Sequence, residues 1–127
     1  MQISARVQNS SGEHHATVTT NDVTRPIAIP PKASGFGSSA NGGELLFLAL
    51  ATCYCNDIYR EAAKRGITVT RVEVDVDGQF GAPGEPAWRV TYRARVVADA
   101  SEAEIQNTLR TPTEVTLSQV EAINVQP

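Results

Sequence analysis

The first 30 residues alternate apolar and polar side chains in short runs. The segments MQISARVQN and HHATVTT show this alternation, and the sequence SSGE between them is typical of a turn. A third short run, VTRPIAIP, contains Pro26, which has no backbone N–H to donate and therefore belongs at a sheet edge or strand end. The pattern predicts a hairpin and an edge strand within residues 1–30.

Residues 30–43, PPKASGFGSSANGG, break the alternation. The segment is too rich in Gly, Ser and Pro for a helix or a central strand. A loop of this length inside a compact domain is more often functional or mobile than a plain connection. We expect it to shape the mouth of any pocket beside it.

From residue 44 the chain changes to a helical pattern. The run ELLFLALATCYC is apolar on nearly every side, which is typical of a helix buried all round, and NDIYREAAKRG continues it as an amphipathic helix. On this pattern Asp57 and Arg60 face water. Gly66 is a helix stop, so the pattern predicts a long helix over residues 43–65.

Two strongly alternating runs follow the helix. ITVTRVEVDVDG and AWRVTYRARVVA predict a long hairpin over residues 67–97, with acidic residues facing arginines across its exposed side. Trp88 and Tyr92 fall on the inward face, where core packing is the more common role and a ligand platform the rarer one.

The end of the chain predicts a short helix and a strand. Ser101 and Glu104 form a capping box that opens a helix over residues 101–110, and residues 114–125 read as a final strand. The whole order predicts a single α+β domain over residues 1–127. Because one small sheet covers only one side of a helix, we expect a homodimer in which the partner covers the other side, with Tyr54 and Tyr59 in the dimer core.

Composition narrows the function classes. The net charge is −3, from 14 acidic and 11 basic residues without long runs of either sign, which argues against nucleic-acid binding. We find neither a membrane-spanning apolar run nor the apolar core of a signal peptide, so a soluble cytoplasmic protein is expected. Two cysteines are too few for a secreted disulfide framework, and reduced thiols are expected.

The two cysteines, Cys53 and Cys55, lie on the predicted helix. Residues i and i+2 of a helix point about 200° apart, so a disulfide between them would require local unwinding. The same divergence disfavours a thiolate metal clamp, and the adjacent His14 and His15 of a strand also face opposite ways. Neither a metal nor a cofactor is expected. Buried, inert packing is the usual role of a free cysteine, and we assign it to Cys55.

The segment NGGELLFLALATCY resembles the signature of the OsmC/Ohr family, the organic hydroperoxide resistance superfamily. The continuation REAAKRGITVTRVEVDVDG is similar to the helix end and following strand of that family. The resemblance implies an OsmC-like fold, in which small antiparallel sheets pack around a long buried central helix in an intertwined homodimer. It also implies reduction of organic hydroperoxides by a reactive thiolate, at the position of Cys53, which a thiol reductant resets.

The sequence departs from the family pattern at three places. The family's second cysteine would lie near residue 110, where the nearest small polar residues are Thr111 and Thr113. The position of the family's glutamate is occupied by Gly43, which leaves Glu44 as the candidate. The loop before the helix offers Lys32 in place of an arginine, with Arg25 further upstream, and lysine lacks the two-pronged grip of a guanidinium.

The resemblance therefore makes Cys53, Glu44, Lys32 and Arg25 the candidate catalytic residues. Glu44 has an equally good alternative role in complementing the positive end of the helix dipole, and Lys32 and Arg25 also fit solvated surface charges. Two functions follow. One is a one-cysteine thiol peroxidase for organic hydroperoxides that depends on an external thiol reductant. The other is a catalytically degenerate binding module for a small hydrophobic ligand.

Overall fold

The structure, a computed structural model, describes residues 1–82 and 84–109. The elements in chain order are β1 (Ile3–Ser10), β2 (Glu13–Thr20), β3 (Val23–Ile27), α1 (Gly42–Lys64), β4 (Val69–Phe80), β5 (Ala87–Ala98) and α2 (Glu102–Leu109). Two antiparallel sheets and two helices confirm the α+β class. The chain forms two compact units, residues 1–41 and 42–127, and the single domain stays a prediction. The strand predicted over residues 114–125 lies outside the described residues.

The first unit contains a three-stranded antiparallel sheet in the order β1-β2-β3. The register of the first hairpin runs from Ser10 opposite Glu13 to Ile3 opposite Thr20. Strand β3 is at the edge, with Pro26 opposite Thr17. The edge position predicted for Pro26 is confirmed, because an edge strand tolerates the missing N–H.

The Gly-rich loop of the first unit is held by local hydrogen bonds. Pro31 and Ser38 form an isolated antiparallel bridge, and the Gly37 amide donates to Asn9 Oδ1 at 2.9 Å. The Gly12 amide donates to the Gly35 carbonyl at 3.2 Å. Gly35 and Gly37 have φ angles of 78° and 102°, a region that side chains disfavour. The loop is therefore anchored to the β1–β2 turn by hydrogen bonds, and it contains neither a helix nor a regular strand.

In the second unit, α1 begins and ends within one residue of the predicted bounds. Its end is closed by two backbone hydrogen bonds, from the Gly66 amide to the Ala63 carbonyl and from the Ile67 amide to the Ala62 carbonyl. Gly66 has a φ of 68°, as a glycine after a helix end commonly does. The predicted glycine stop is confirmed.

One side of α1 packs against the β4–β5 hairpin. Leu50, Ile58 and Ala62 are 3%, 2% and 1% exposed, whereas Leu45 and Leu48 on the other side are 37% and 62% exposed. The described residues thus bury one stripe of α1 and leave Leu45 and Leu48 exposed. The expected burial on all sides is not met within residues 1–82 and 84–109, and the covering second subunit stays a prediction.

The β4–β5 hairpin contains a bulge. Val76 lies opposite Tyr92 and Asp77 opposite Thr91, but Gln79 lies opposite Trp88, so one residue of β4 faces two of β5. The extra residue shifts the alternation by one position and turns Trp88 outward, where it is 45% exposed. The inward position predicted for Trp88 is wrong, while Tyr92, before the shift, faces inward as predicted.

The outward Trp88 carries a cation on its ring. The Arg89 guanidinium carbon lies 4.5 Å from the ring centroid, and Arg89 has a φ of 53°, which is uncommon for a residue other than glycine. On the same exposed side, acidic residues of β4 face arginines of β5 as predicted, with Glu73 opposite Arg95 and Asp75 opposite Arg93.

The capping box predicted for α2 is present. The Glu104 amide donates to Ser101 Oγ at 3.3 Å, and the Ser101 amide donates to Glu104 Oε2 at 3.0 Å. These bonds satisfy donors that the first turn of a helix leaves unpaired. They fix where α2 begins beside α1.

Gly78, at the bulge, allows α1 to approach the sheet closely. A Cβ atom at Gly78 would lie 2.5 Å from Cζ of Phe47 and 3.2 Å from Cγ2 of Val90. The Phe47 ring also stacks on Phe80 with 5.5 Å between centroids. The aromatic ring is thus confined from two sides, and a methyl group at Gly78 has no room.

We expect Gly78→Ala to lower the free energy of unfolding by about 1–3 kcal/mol, because the added methyl overpacks the contact with Phe47. Urea denaturation of the variant and the wild type measures the loss. Phe47→Leu is the control background, since a smaller side chain there should reduce the cost of Gly78→Ala. An equal cost in both backgrounds would show that the Phe47 contact is not its source.

Candidate functional site

Both cysteines lie on α1 as free thiols, and each is partly exposed. They flank the stripe that packs on the hairpin, because positions two residues apart on a helix point about 200° apart. Their side chains therefore diverge, as predicted, and each meets different neighbours.

Cys53 lies on the Tyr92 side of α1. Leu50, Cys53 and Tyr54 are neighbours on the helix surface, since they are spaced i, i+3 and i+4. Tyr92 of β5 packs against the core that contains Leu50, and its ring meets that of Tyr54 edge to face, with 5.3 Å between centroids. Two of these three neighbours, Leu50 and Tyr54, thus pack against Tyr92, and Cys53 is the third.

The two tyrosines of this cluster are electrostatically perturbed. Burial raises the pKa of Tyr92, and any negative charge on Cys53 or Tyr54 raises it further. Burial also raises the pKa of Tyr54, whose hydroxyl donates to the Leu109 carbonyl at 3.3 Å. Both phenols therefore remain protonated beyond the pH range in which an exposed tyrosine ionises.

Asp57 is buried one helical turn after Cys53, with 8% of its surface exposed. The sequence pattern placed Asp57 and Arg60 in water, and for Asp57 this is wrong. The Arg60 guanidinium lies 2.7 Å from the Asp57 carboxylate, and an ion pair of this kind offsets part of the cost of removing the carboxylate from water. The pair adds little net charge beside Cys53.

Cys55 lines a shallow depression on the other flank of α1. Its volume is about 240 Å³, and the remaining lining residues are Ala51, Thr52, Asn56 and Val74. The Thr52 hydroxyl donates to the Leu48 carbonyl at 2.8 Å, so it is already engaged by the helix backbone. Cys55 was assigned to inert packing, but its side chain also lines an accessible concave surface.

Glu44 lies in the first turn of α1, nine residues before Cys53. Nine residues of helix turn the chain through about two and a half turns and rise about 13 Å, so Glu44 points to the side opposite Cys53. Its place in the first turn suits the helix dipole. One chain does not bring Glu44 beside Cys53, and a part in Cys53 chemistry would require Glu44 of a second copy.

Arg25 and Lys32 belong to the first compact unit. Arg25 lies opposite Val18 in the β2–β3 pair, and the aliphatic part of Lys32 lies close to Gly37, at 3.3 Å from the position of a Cβ there. Their assignment to Cys53 stays a prediction, because Cys53 belongs to the other unit.

The described residues contain few side chains that could bind a metal together. Within residues 1–82 and 84–109, no group of three or more His, Cys, Asp and Glu side chains is placed to hold a metal ion. His14 Nδ1 lies 3.0 Å from the Asn9 side-chain amide, which is a role within its own hairpin. Of the two helices that the structure describes, neither is long and apolar enough to cross a membrane.

The raised tyrosine pKa values predict a loss of stability in alkali. Below pH 10.0, the ordinary tyrosine pKa, the phenols of Tyr54 and Tyr92 are protonated in both folded and unfolded chains. Above it the unfolded chain ionises first, so the free energy of unfolding falls as pH rises. Denaturation midpoints between pH 9 and 11 measure the slope, which should be shallower in Tyr92→Phe. An unchanged slope would contradict the role of burial at Tyr92.

Comparison with known families agrees with the resemblance noted in the sequence. The family model described as OsmC-like protein matches residues 35–117, about two-thirds of the chain. The matched range includes α1 with both cysteines, the β4–β5 hairpin and α2. No curated protein matches the chain. Because the matched range covers more than half of the chain, the chain belongs to the OsmC-like protein family.

Proposed function

We propose that this protein is a one-cysteine thiol peroxidase that reduces organic hydroperoxides, with Cys53 as the peroxidatic thiol. The observation that carries the proposal is the position of Cys53, a partly exposed free thiol beside a tyrosine cluster on the long helix of an OsmC-like chain. Access to a substrate is one requirement of a reactive thiol, and partial exposure distinguishes Cys53 from a buried, inert cysteine.

The reaction starts with attack of the Cys53 thiolate on the terminal oxygen of the hydroperoxide. A sulfur–oxygen bond forms, the oxygen–oxygen bond breaks, and the alkoxide that leaves takes a proton to become an alcohol. The sulfur loses two electrons and becomes a sulfenic acid. The peroxide is the oxidant and supplies the oxygen atom that the sulfenic acid retains.

Resolution of the sulfenic acid requires an external thiol. Cys55 is the other cysteine of this chain, and it points to the far side of the helix from Cys53. An external thiol condenses with the sulfenic acid to give a mixed disulfide and water, and a second thiol releases Cys53 by disulfide exchange. A dithiol supplies both steps, which fits a reducing, cytoplasmic compartment.

The working form in this proposal is a homodimer. Leu45 and Leu48 lie on the side of α1 that the hairpin does not cover. A second copy that covers these leucines would complete the apolar surroundings of the helix. Neighbouring large apolar side chains that are exposed on a protein surface commonly mark an interaction site. Such a dimer would also provide Glu44 of a second copy, which any part of Glu44 in Cys53 chemistry would require.

A second candidate function is binding of a small hydrophobic ligand without turnover. The observation that favours it is the depression beside Cys55, whose floor includes the apolar Ala51 and Val74. Pockets that combine apolar walls with a few polar groups are usual ligand sites. Asn56, which also lines the depression, would supply the polar contact.

The peroxidase proposal predicts rapid, single-site oxidation. Reduced protein treated with one equivalent of cumene hydroperoxide and the sulfenic-acid trap dimedone should gain one trap adduct, measured by intact mass. Cys53→Ser should abolish the adduct because the nucleophile is gone, whereas the matched Cys55→Ser variant should keep it.

Each alternative outcome of this experiment has a definite meaning. An adduct that persists in Cys53→Ser and disappears in Cys55→Ser would move the reactive thiol to the depression. Wild-type protein that remains unmodified over minutes would refute the peroxidase. The ligand-binding candidate would then be tested with hydrophobic fluorescent probes, whose binding Cys55→Phe should block by filling the depression.

The dimer predicts a sharp effect of charge at Leu48. Wild-type protein should have twice the mass of one chain by light scattering after size exclusion, and Leu48→Glu should shift it to the monomer because a carboxylate in an apolar interface is costly. Ala63→Glu is the control, since Ala63 is an exposed position near the solvent-facing end of the same helix. A Leu48→Glu protein that stays dimeric would place the interface elsewhere.

A further inference from the structure

The hydroxyl of Tyr92 is buried without a hydrogen-bond partner. Its oxygen has less than 1 Å² of accessible surface, and within residues 1–82 and 84–109 nothing accepts or donates to it. Buried polar atoms are nearly always paired, and an unpaired hydroxyl costs stability that phenylalanine at the same place would avoid. A tyrosine at this position therefore suggests that its hydroxyl has a function.

The ring of Tyr92 is held firmly. Strand pairing fixes its backbone opposite Val76, the Tyr54 ring meets it edge to face, and the core around Leu50 packs against it. A ring confined in this way presents its hydroxyl at a defined place. That place is against Leu50 and Tyr54, and Cys53 adjoins both of them on the surface of α1.

The charges around Cys53 leave Tyr92 as a neutral donor. On α1 the neighbours are Tyr54, whose hydroxyl already donates to the Leu109 carbonyl, and the paired Asp57 and Arg60. On β4 the residue opposite Tyr92 is Val76, and the side of α2 toward α1 carries Ile105 and Thr108, which are uncharged. Because burial raises the pKa of Tyr92 above that of an ordinary phenol, its hydroxyl keeps the proton that it would donate.

We propose that Tyr92 is the positioning residue of the reactive thiol, its hydroxyl donating a hydrogen bond to the Cys53 sulfur when that sulfur is ionised. A hydrogen bond to an ionised acceptor is about twice as strong as one between neutral groups, so the contact favours the thiolate over the thiol. The role in peroxide reduction rests on the proposed function, but the hydrogen bond itself does not. After oxidation the same hydroxyl can donate to the sulfenic oxygen and hold it until an external thiol arrives.

The test measures the ionisation of Cys53 directly. In a Cys55→Ser background, the rate of Cys53 alkylation by iodoacetamide is followed from pH 5 to pH 10 with Tyr92 present and in Tyr92→Phe. We expect Tyr92→Phe to move the midpoint of the profile upward by about one pH unit, which is about tenfold slower alkylation where the thiolate is scarce. Tyr54→Phe, which removes the neighbouring hydroxyl, should keep the original midpoint. Circular dichroism verifies that each variant is folded.

The outcomes separate this hydrogen bond from the peroxidase proposal. An unchanged midpoint in folded Tyr92→Phe overturns the hydrogen bond, even if wild-type protein forms the dimedone adduct. A shifted midpoint with no peroxide reaction in any variant keeps the hydrogen bond and refutes the peroxidase. An equal shift in Tyr54→Phe overturns the assignment to Tyr92, because general loosening of the cluster would then explain both.

Discussion

The packing of α1 against a two-stranded hairpin is the constraint on which the rest of the second unit depends. Two strands are wide enough to cover one stripe of a 23-residue helix, and that stripe contains Leu50, Ile58 and Ala62. The surroundings of every other side chain of α1 then depend on its angle around the helix from this stripe. Among the described residues, those at its flanks are partly covered, and Leu45 and Leu48 on the opposite side are exposed.

This angular order separates the chemistry of the two thiols. Cys53 lies at the flank that meets Tyr92 of β5, whereas Cys55 lies at the flank that opens into the depression beside Val74. A helix that stays intact keeps the two sulfur atoms from reacting with each other. In the proposed peroxidase, a sulfenic acid at Cys53 would therefore be resolved by another molecule, and its rate of recovery would depend on how easily that molecule reaches the flank of the helix.

Much of the fold could be predicted because it depends on local signals. Gly66 ends α1, Ser101 and Glu104 begin α2, and Pro26 marks an edge strand, each through contacts within a few residues or along one strand. The bulge beside Gly78 could not be predicted, since regular alternation continues through Trp88 and gives no sign of an extra residue. The structure alone reveals it.

The candidate site was predictable to a smaller extent. The position of Cys53 followed from a sequence signature, but the buried hydroxyl of Tyr92 results from tertiary packing that no local pattern encodes. Burial of Asp57 was missed because a charged residue on an amphipathic helix normally faces water, and pairing with Arg60 overrides that rule. The spacing of nine residues between Glu44 and Cys53 is sufficient to predict from the sequence that the two side chains point in opposite directions.

The outward turn of Trp88 has a consequence for how unfolding of this protein is observed. Trp88 is the single tryptophan of the chain, and it lies half exposed at the hairpin's outer face under the Arg89 guanidinium. Its emission therefore reports the local state of the bulge and of the cation above the ring, not the apolar core on the other face of the sheet. Intrinsic fluorescence will follow fraying of the hairpin end, and the cooperative loss of the core has to be read from the helical signal of α1.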